Sequence, residues 1–294
     1  MAASSVVIAC LVLFAAPQMA VGAAADSMRI HGLWVWQGPL ILQTKESAES
    51  LRDFCRVQGV SEVYVSVFER GRMMTPGSMS RLLDVLHVAS VRVEALLSSE
   101  NADEGGAHLE KLRSRVRAIL QFNQGHPRQR FDGIHLDIEP QQRAENKGAG
   151  NLRFLPGLVE AYHAVRTMAE PSGLTVNADI QNKLLKGSLE ERRTLLSALP
   201  RFTLMMYEVS NSRDRDNIEG EGEKVRRASK KFLDMAYDGL TGRDFAGLVI
   251  ALRTPDYDQL LAKMLQTLDA ANGANPHYLG WARHSYNDVL STAH

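Results

Sequence analysis

The order of apolar runs along these 294 residues predicts an α/β fold, a single-domain (β/α)8 TIM barrel. Two observations carry that expectation. Eight short β-rich runs alternate with longer amphipathic stretches, and the short runs are nearly continuous in apolar residues, as parallel strands are when helices cover them. No Gly-rich phosphate loop follows the first run, which places the barrel ahead of its rival, an open doubly wound sheet.

The strands are expected at "GLWVW" (32–36), "EVYVSVF" (62–68), "RVEALLS" (92–98) and "GIHLDIE" (133–139). They continue with "LTVNADI" (174–180), "FTLMMYE" (202–208), "GLVIALR" (247–253) and "HYLGWAR" (277–283). Between them lie amphipathic stretches such as "SAESLRDFCRVQG", "SMSRLLDVLHVAS", "HLEKLRSRVRAILQF" and "NLRFLPGLVEAYHAVRTMAE". Several begin at Ser or Asn and end near Gly or Pro, the start and stop chemistry of helices. Only a stub follows the eighth strand. No solenoid repeat, low-complexity tract or interdomain linker interrupts the pattern.

A formal net charge of +0 and 45% hydrophobic residues describe an ordinary globular chain. No Lys/Arg block with interleaved aromatics is present, so nothing favours a nucleic-acid partner. A small or neutral ligand is expected instead. The first charged residue is Asp26. Before it, the apolar run from Val6 to Ala16 is too short to cross a bilayer, and small residues surround Ala23 to Ala25. Residues 1–25 therefore read as a secretory signal peptide, leaving an exported barrel domain at 26–294 with no membrane insertion. A true start at Met28 is the alternative. Cys10 would leave with the leader, and Cys55, in an amphipathic stretch, is expected as a small core residue.

Active sites of parallel barrels lie at the C-terminal strand ends. Those ends hold Trp36; Phe68 and Glu69; Ser98 and Glu100; Asp137 and Glu139; Asn177 and Asp179; Tyr207 and Glu208; Arg253; Trp281 and Arg283. Carboxylates, aromatics and arginines thus gather at one end while the strand interiors stay apolar. Aromatic platforms beside carboxylates suit a sugar, whose faces stack on rings while its hydroxyls take hydrogen bonds. On the fourth strand, His135, Asp137 and Glu139 alternate onto one face, with Ile134, Leu136 and Ile138 on the other. Neighbouring like charges compete for ionisation, so one carboxyl can stay protonated near neutral pH. A proton-bearing Glu139 above Asp137 is what acid-catalysed cleavage of a glycosidic bond requires.

These residues resemble glycoside hydrolase family 18, the chitinase-like barrels. That family's fourth strand reads D-G-x-D-x-D-x-E. Here Asp132, Gly133, Asp137 and Glu139 match, and His135 stands in place of the middle Asp. The family's M-x-Y-D at the sixth strand end is similar to Met205, Met206, Tyr207, Glu208, and Trp281 stands near the family's inward tryptophan. The resemblance implies substrate-assisted retention without a protein nucleophile or cofactor. Glu139 would be the acid, Asp137 would orient the acetamide, Tyr207 would bond the acetamide oxygen, and Trp36 and Trp281 would be sugar platforms. Glu208, Asp179, Arg253, Arg283 and His135 would complete the substrate site. "GLVIALR" lacks the second carboxylate of a two-glutamate retaining barrel. Two rival classes remain open. One is a metal-dependent barrel hydrolase of phosphodiesterase or deacetylase type, using His135, Asp137, Glu139, Asp179 and Glu208. The other is a non-catalytic glycan-binding barrel. A compact multi-histidine ligand set is missing, so no metal residue is assigned.

Overall fold

The structure, a computed structural model, describes residues 29–99, 101–146, 152–207, 218–242, 245–253 and 260–292. The expected leader and Glu208 lie outside the described residues. Eight parallel strands close into a barrel: β1 (Ile30–Val35), β2 (Glu62–Ser66), β3 (Arg92–Ser98), β4 (Gly133–Asp137), β5 (Thr175–Gln181), β6 (Arg201–Met205), β7 (Gly247–Arg253) and β8 (Tyr278–His284). Each pairs with its sequence neighbours, and β8 closes on β1 through Ile30 beside Gly280 and Gly32 beside Ala282. This is the (β/α)8 barrel the alternation predicts. A short antiparallel ribbon, Phe68–Glu69 with Arg72–Met73, stands beyond the end of β2.

The helices α1 (Lys45–Gln58), α2 (Pro76–Val88), α3 (Gly106–Gly125), α4 (Leu155–Ala169), α5 (Leu189–Ala198), α6 (Ile218–Tyr237), α7 (Leu261–Asn272) and α8 (Tyr286–Thr292) follow the strands in turn. Their starts are set by local chemistry. Thr44 and Ser188 close capping boxes with Ser47 and Glu191, and Thr75 caps α2 ahead of Pro76. Among the described residues no helix is long and apolar enough to cross a membrane.

Strand alternation sorts the apolar residues into two cores. The larger lies between sheet and helices and takes Val63, Val65, Ile134, Leu136, Phe202, Leu204 and Ile250, together with the fully buried Cys55. A smaller cluster, Trp34, Tyr64, Leu96, Val249, Ala251 and Ala282, fills part of the barrel interior. The rest of that interior is polar and largely charged, which the apolar reading of the strands did not foresee. Glu62, Glu94, His135, Asn177, Asp179 and Arg201 are all buried there. Gly133 makes room for this: a Cβ at that position would stand 2.8 Å from Glu94 Oε1 and 2.6 Å from Thr175 Oγ1.

Candidate active site

The mouth of the barrel rests on a column of buried charge. Arg201 donates to Glu62 at 2.7 and 3.2 Å and to Glu94 at 2.8 Å, so one guanidinium satisfies two carboxylates. Asn177 donates to Glu94 Oε1 at 2.6 Å. The other oxygen of Glu94 meets His135 Nδ1 at 3.0 Å, and His135 Nε2 meets Asp179 Oδ1 at 2.7 Å. Trp34 Nε1 donates to Asp179 Oδ2 at 3.1 Å. The His135 ring lies flat on Tyr64, centroids 3.8 Å apart. Isolated ions at such depth cost several kcal/mol each, and a chain with alternating sign answers that cost. Burial pulls the His135 imidazole toward the neutral form, but Asp179 and Glu94 outweigh it and raise its pKa from 6.5 to about 9. Burial likewise pushes Glu94 up, and Arg201 and His135 reverse that, holding it below the ordinary glutamate value.

Above this column sit the two carboxylates of β4. Asp137 is the last residue of the strand, and Glu139 stands just past it, at the start of a one-turn helix from Pro140 to Gln142. Both line a cleft of about 300 Å³ with Ser98, Asn101, Gln142 and Arg143. Burial, together with the nearby charges of Asp179 and Glu139, lifts the Asp137 carboxyl well above the ordinary aspartate value. Glu139 is also raised, by burial, against hydrogen bonds from Gln142 and Gln181 that act the other way. Gln181 Nε2 reaches Glu139 Oε1 at 2.6 Å. Two neighbouring carboxyls in a half-enclosed cleft, both shifted toward their acid forms, supply the pairing that a proton donor needs.

Aromatic and polar groups ring the same mouth. Trp36 Nε1 donates to His284 Nε2 at 3.0 Å, and the Tyr207 ring lies 5.4 Å from the His284 ring. The Tyr207 hydroxyl is buried without a hydrogen-bond partner among the described residues. Burial and the charges of Asp179, Asp137 and Glu139 hold that phenol well above its ordinary value. Arg253 ends β7 beside His284, exposed at the rim.

Of the residues the sequence assigns to the site, Asp137, Glu139, Tyr207, Trp36 and Arg253 reach the mouth. His135 and Asp179 lie buried beneath it. They are 0% and 1% exposed, with both imidazole nitrogens and both carboxylate oxygens engaged, and they act on the cleft through charge. His135 meets Glu94 and Asp179 rather than the Asp137 above it. Trp281 and Arg283 are corrections. Trp281 faces the helix layer, where Nε1 donates to Asp269 at 3.1 Å and the ring stacks on His31 at 4.1 Å. Arg283 lies outside too, over the Phe54 ring and bonded to Gln58. The cause is a β-bulge at the start of β8. Leu279 packs inward, but the register slips between Tyr278 and Gly280, with Gly280 at φ +139°. Every later side chain is thereby switched to the other face. Ala282 and His284 point in where Trp281 and Arg283 are expected. Asp132 bonds Val93 N and His87 at the opposite end of the barrel, a structural tie.

Sequence reasoning missed Glu94, Arg201, Gln181 and His284. Glu94 and Arg201 carried a signal, since a charged side chain in an otherwise apolar strand needs a buried partner. His284 and Gln181 each lie one residue beyond the expected strand end. Among the described residues no group of three or more His, Cys, Asp and Glu side chains is arranged to hold a metal ion.

No family model matches the sequence, and no curated protein does. Solved structures match the fold. The endo-1,4-beta-mannanase from Rhizomucor miehei superposes with a TM-score of 0.58 at 8% identity, covering 87% of this chain and 86% of that one. The PgaB (BpsB) glycoside hydrolase domain from Bordetella bronchiseptica gives 0.51 at 12% identity, covering 90% and 96%. The C-terminal domain of a candidate chitinase from Desulfitobacterium hafniense DCB-2 gives 0.51 at 11% identity, covering 76% of this chain and 66% of that one. At these identities the likeness is one of fold: a closed, eight-stranded parallel barrel of the kind that chitinases and other glycoside hydrolases use.

Proposed function

We propose that this chain is an exported glycoside hydrolase that cleaves N-acetylhexosamine-containing glycans, with Glu139 as general acid. The observation that carries the reading is the pairing of Asp137 and Glu139 in one cleft, both raised above ordinary carboxylate values. The glycoside-hydrolase barrels with which it shares a fold support it, and the apolar leader supports export. In this reading Glu139 gives its proton to the leaving glycosidic oxygen. The substrate's own acetamide oxygen attacks the anomeric carbon and forms an oxazolinium ion. Asp137 orients the acetamide N–H and faces the developing positive charge, while the Tyr207 hydroxyl donates to the acetamide oxygen. Water then attacks the anomeric carbon and returns a proton to Glu139, so the acid is regenerated with retained configuration. Trp36 offers a ring face to a sugar at the rim, and Arg253 a cation.

The test is turnover of chitooligosaccharides, peptidoglycan fragments and acetamide-free polysaccharides, with and without EDTA, beside Glu139→Gln. The reading expects release from N-acetylated substrates only, insensitive to EDTA and reduced by several powers of ten in Glu139→Gln, roughly the span that acid catalysis and binding supply together. Near-wild-type hydrolysis by that variant would sink the assignment. Activity abolished by EDTA would hand the site to a metal, and binding without turnover would leave a lectin built on a hydrolase barrel.

A further inference from the structure

The catalytic cleft does not end at Glu139. Its walls Ser98 and Asn101 are shared with a second groove of about 500 Å³, bounded by the ribbon after β2 and by the first three turns of α3. That size suits a small-molecule site. Its lining has a different charge from that of the cleft. His108, Lys111 and Arg115 recur at spacings of three and four on α3, which puts them on one face of the helix, and all three line the groove.

These cations differ from those around them in having little to neutralise them. On the other faces of α3, Arg113 and Arg117 pair with Glu110. In the catalytic cleft, Arg143 is held by Asp103, Glu104 and Glu145. In the groove, Arg70 sits 3.7 Å from Glu69, and His108 is 3.8 Å from Glu104. Lys111 and Arg115 have no carboxylate partner among the described residues. Arg115 is fixed all the same. Nη1 donates to the Ser98 carbonyl at 2.6 Å, and the guanidinium lies over the Phe68 ring, 5.4 Å from its centroid. A half-buried guanidinium so held, one wall away from Asp137 and Glu139, keeps donors free for an anion.

We infer that the groove is a subsite for an acidic sugar, so that the substrate is an anionic glycan in which an N-acetylhexosamine at Asp137 and Glu139 is joined to a residue bearing a carboxylate or sulfate held by Lys111 and Arg115. This rests on the hydrolase reading for its catalytic half and on the groove alone for its binding half. The segregation of charge gives the polarity of binding: the carboxyl groups of the cleft offer an acidic ring no cation beyond the already paired Arg143 and suit a neutral acetamido sugar, while the cations of the groove favour the acidic ring.

The experiment compares the full chain on hexasaccharides of chitin (neutral), hyaluronan (carboxylate) and chondroitin 4-sulfate (carboxylate and sulfate), by kcat/KM and by titration calorimetry. The variants are Lys111→Glu and Lys111→Arg. Lys111 is exposed on α3 and without an ion pair among the described residues, so the fold tolerates both. The expected result is a preference for acidic over neutral substrate of about tenfold or more, the scale of one charged hydrogen bond. It shrinks as salt rises, is lost in Lys111→Glu and is restored in Lys111→Arg. Preference for both acidic oligomers assigns the groove to carboxylate, and preference for the sulfated one alone assigns it to sulfate. Turnover that favours chitin, with a ratio unmoved by Lys111→Glu, overturns the acidic subsite and leaves the hydrolase reading standing. If nothing is cleaved, salt-sensitive binding of the acidic oligomers that Lys111→Glu removes sustains the groove while the hydrolase reading falls. Absence of that binding overturns the groove.

Discussion

Removing the proton from His135 should cost this barrel a large, pH-dependent share of its stability. The imidazole bridges Asp179 at 2.7 Å and Glu94 at 3.0 Å with no exposure to water. Its pKa rises from 6.5 in the unfolded chain to about 9 in the fold. The native state therefore holds the proton more tightly, and stability must fall as pH rises between those two values. At about 1.4 kcal/mol per tenfold change in proton affinity, the contribution is about 3 kcal/mol. It is fully present below pH 6.5 and lost as pH passes through about 9. His135→Gln removes the titrating group while keeping a polar side chain. It leaves Glu94 and Asp179 without their shared cation, so it should cost about 3–5 kcal/mol at neutral pH. The assay is urea unfolding of wild type and variant at a series of pH values from mildly acidic to alkaline. Subtracting the two curves cancels the titration of groups common to both proteins. The difference should shrink by about 3 kcal/mol across that window. A difference that stays flat would mean that His135 is neutral in the fold, and the alternating-charge account of the barrel interior would be wrong.

Other substitutions separate site from scaffold. Tyr207→Phe deletes a buried hydroxyl that has no partner among the described residues. Thermal unfolding should show unchanged or slightly higher stability, while kcat on an N-acetylated substrate falls by about tenfold or more. Gly133→Ala forces a methyl to within 2.8 Å of Glu94 Oε1 and 2.6 Å of Thr175 Oγ1, and should cost about 1–3 kcal/mol in denaturant unfolding. Trp281→Leu breaks the bond to Asp269 and the stack on His31. It should lower stability by about 2–4 kcal/mol while leaving glycan affinity in calorimetry unmoved. A loss of affinity at constant stability would restore Trp281 to the sugar site.

What could be read from the sequence is what depends on neighbours along the chain. Alternation in "GIHLDIE" places His135 and Asp137 on the inner face and Ile134 and Leu136 against the helices, because a strand's period of two is a local property. Thr44, Thr75 and Ser188 mark helix starts for the same reason. Eight such units in series leave few ways to bury every apolar face, and the closed parallel barrel follows. The tertiary structure decided what local pattern does not reach. Glu94, His135 and Asp179 sit on three different strands, 41 and 44 residues apart across their two contacts, and only barrel closure makes them one charged column. That column, not Asp137, takes up His135. A single bulge at Gly280 turned Trp281 and Arg283 outward and His284 inward. An apolar-polar alternation counted without knowledge of the slip assigns the wrong face to every residue after it.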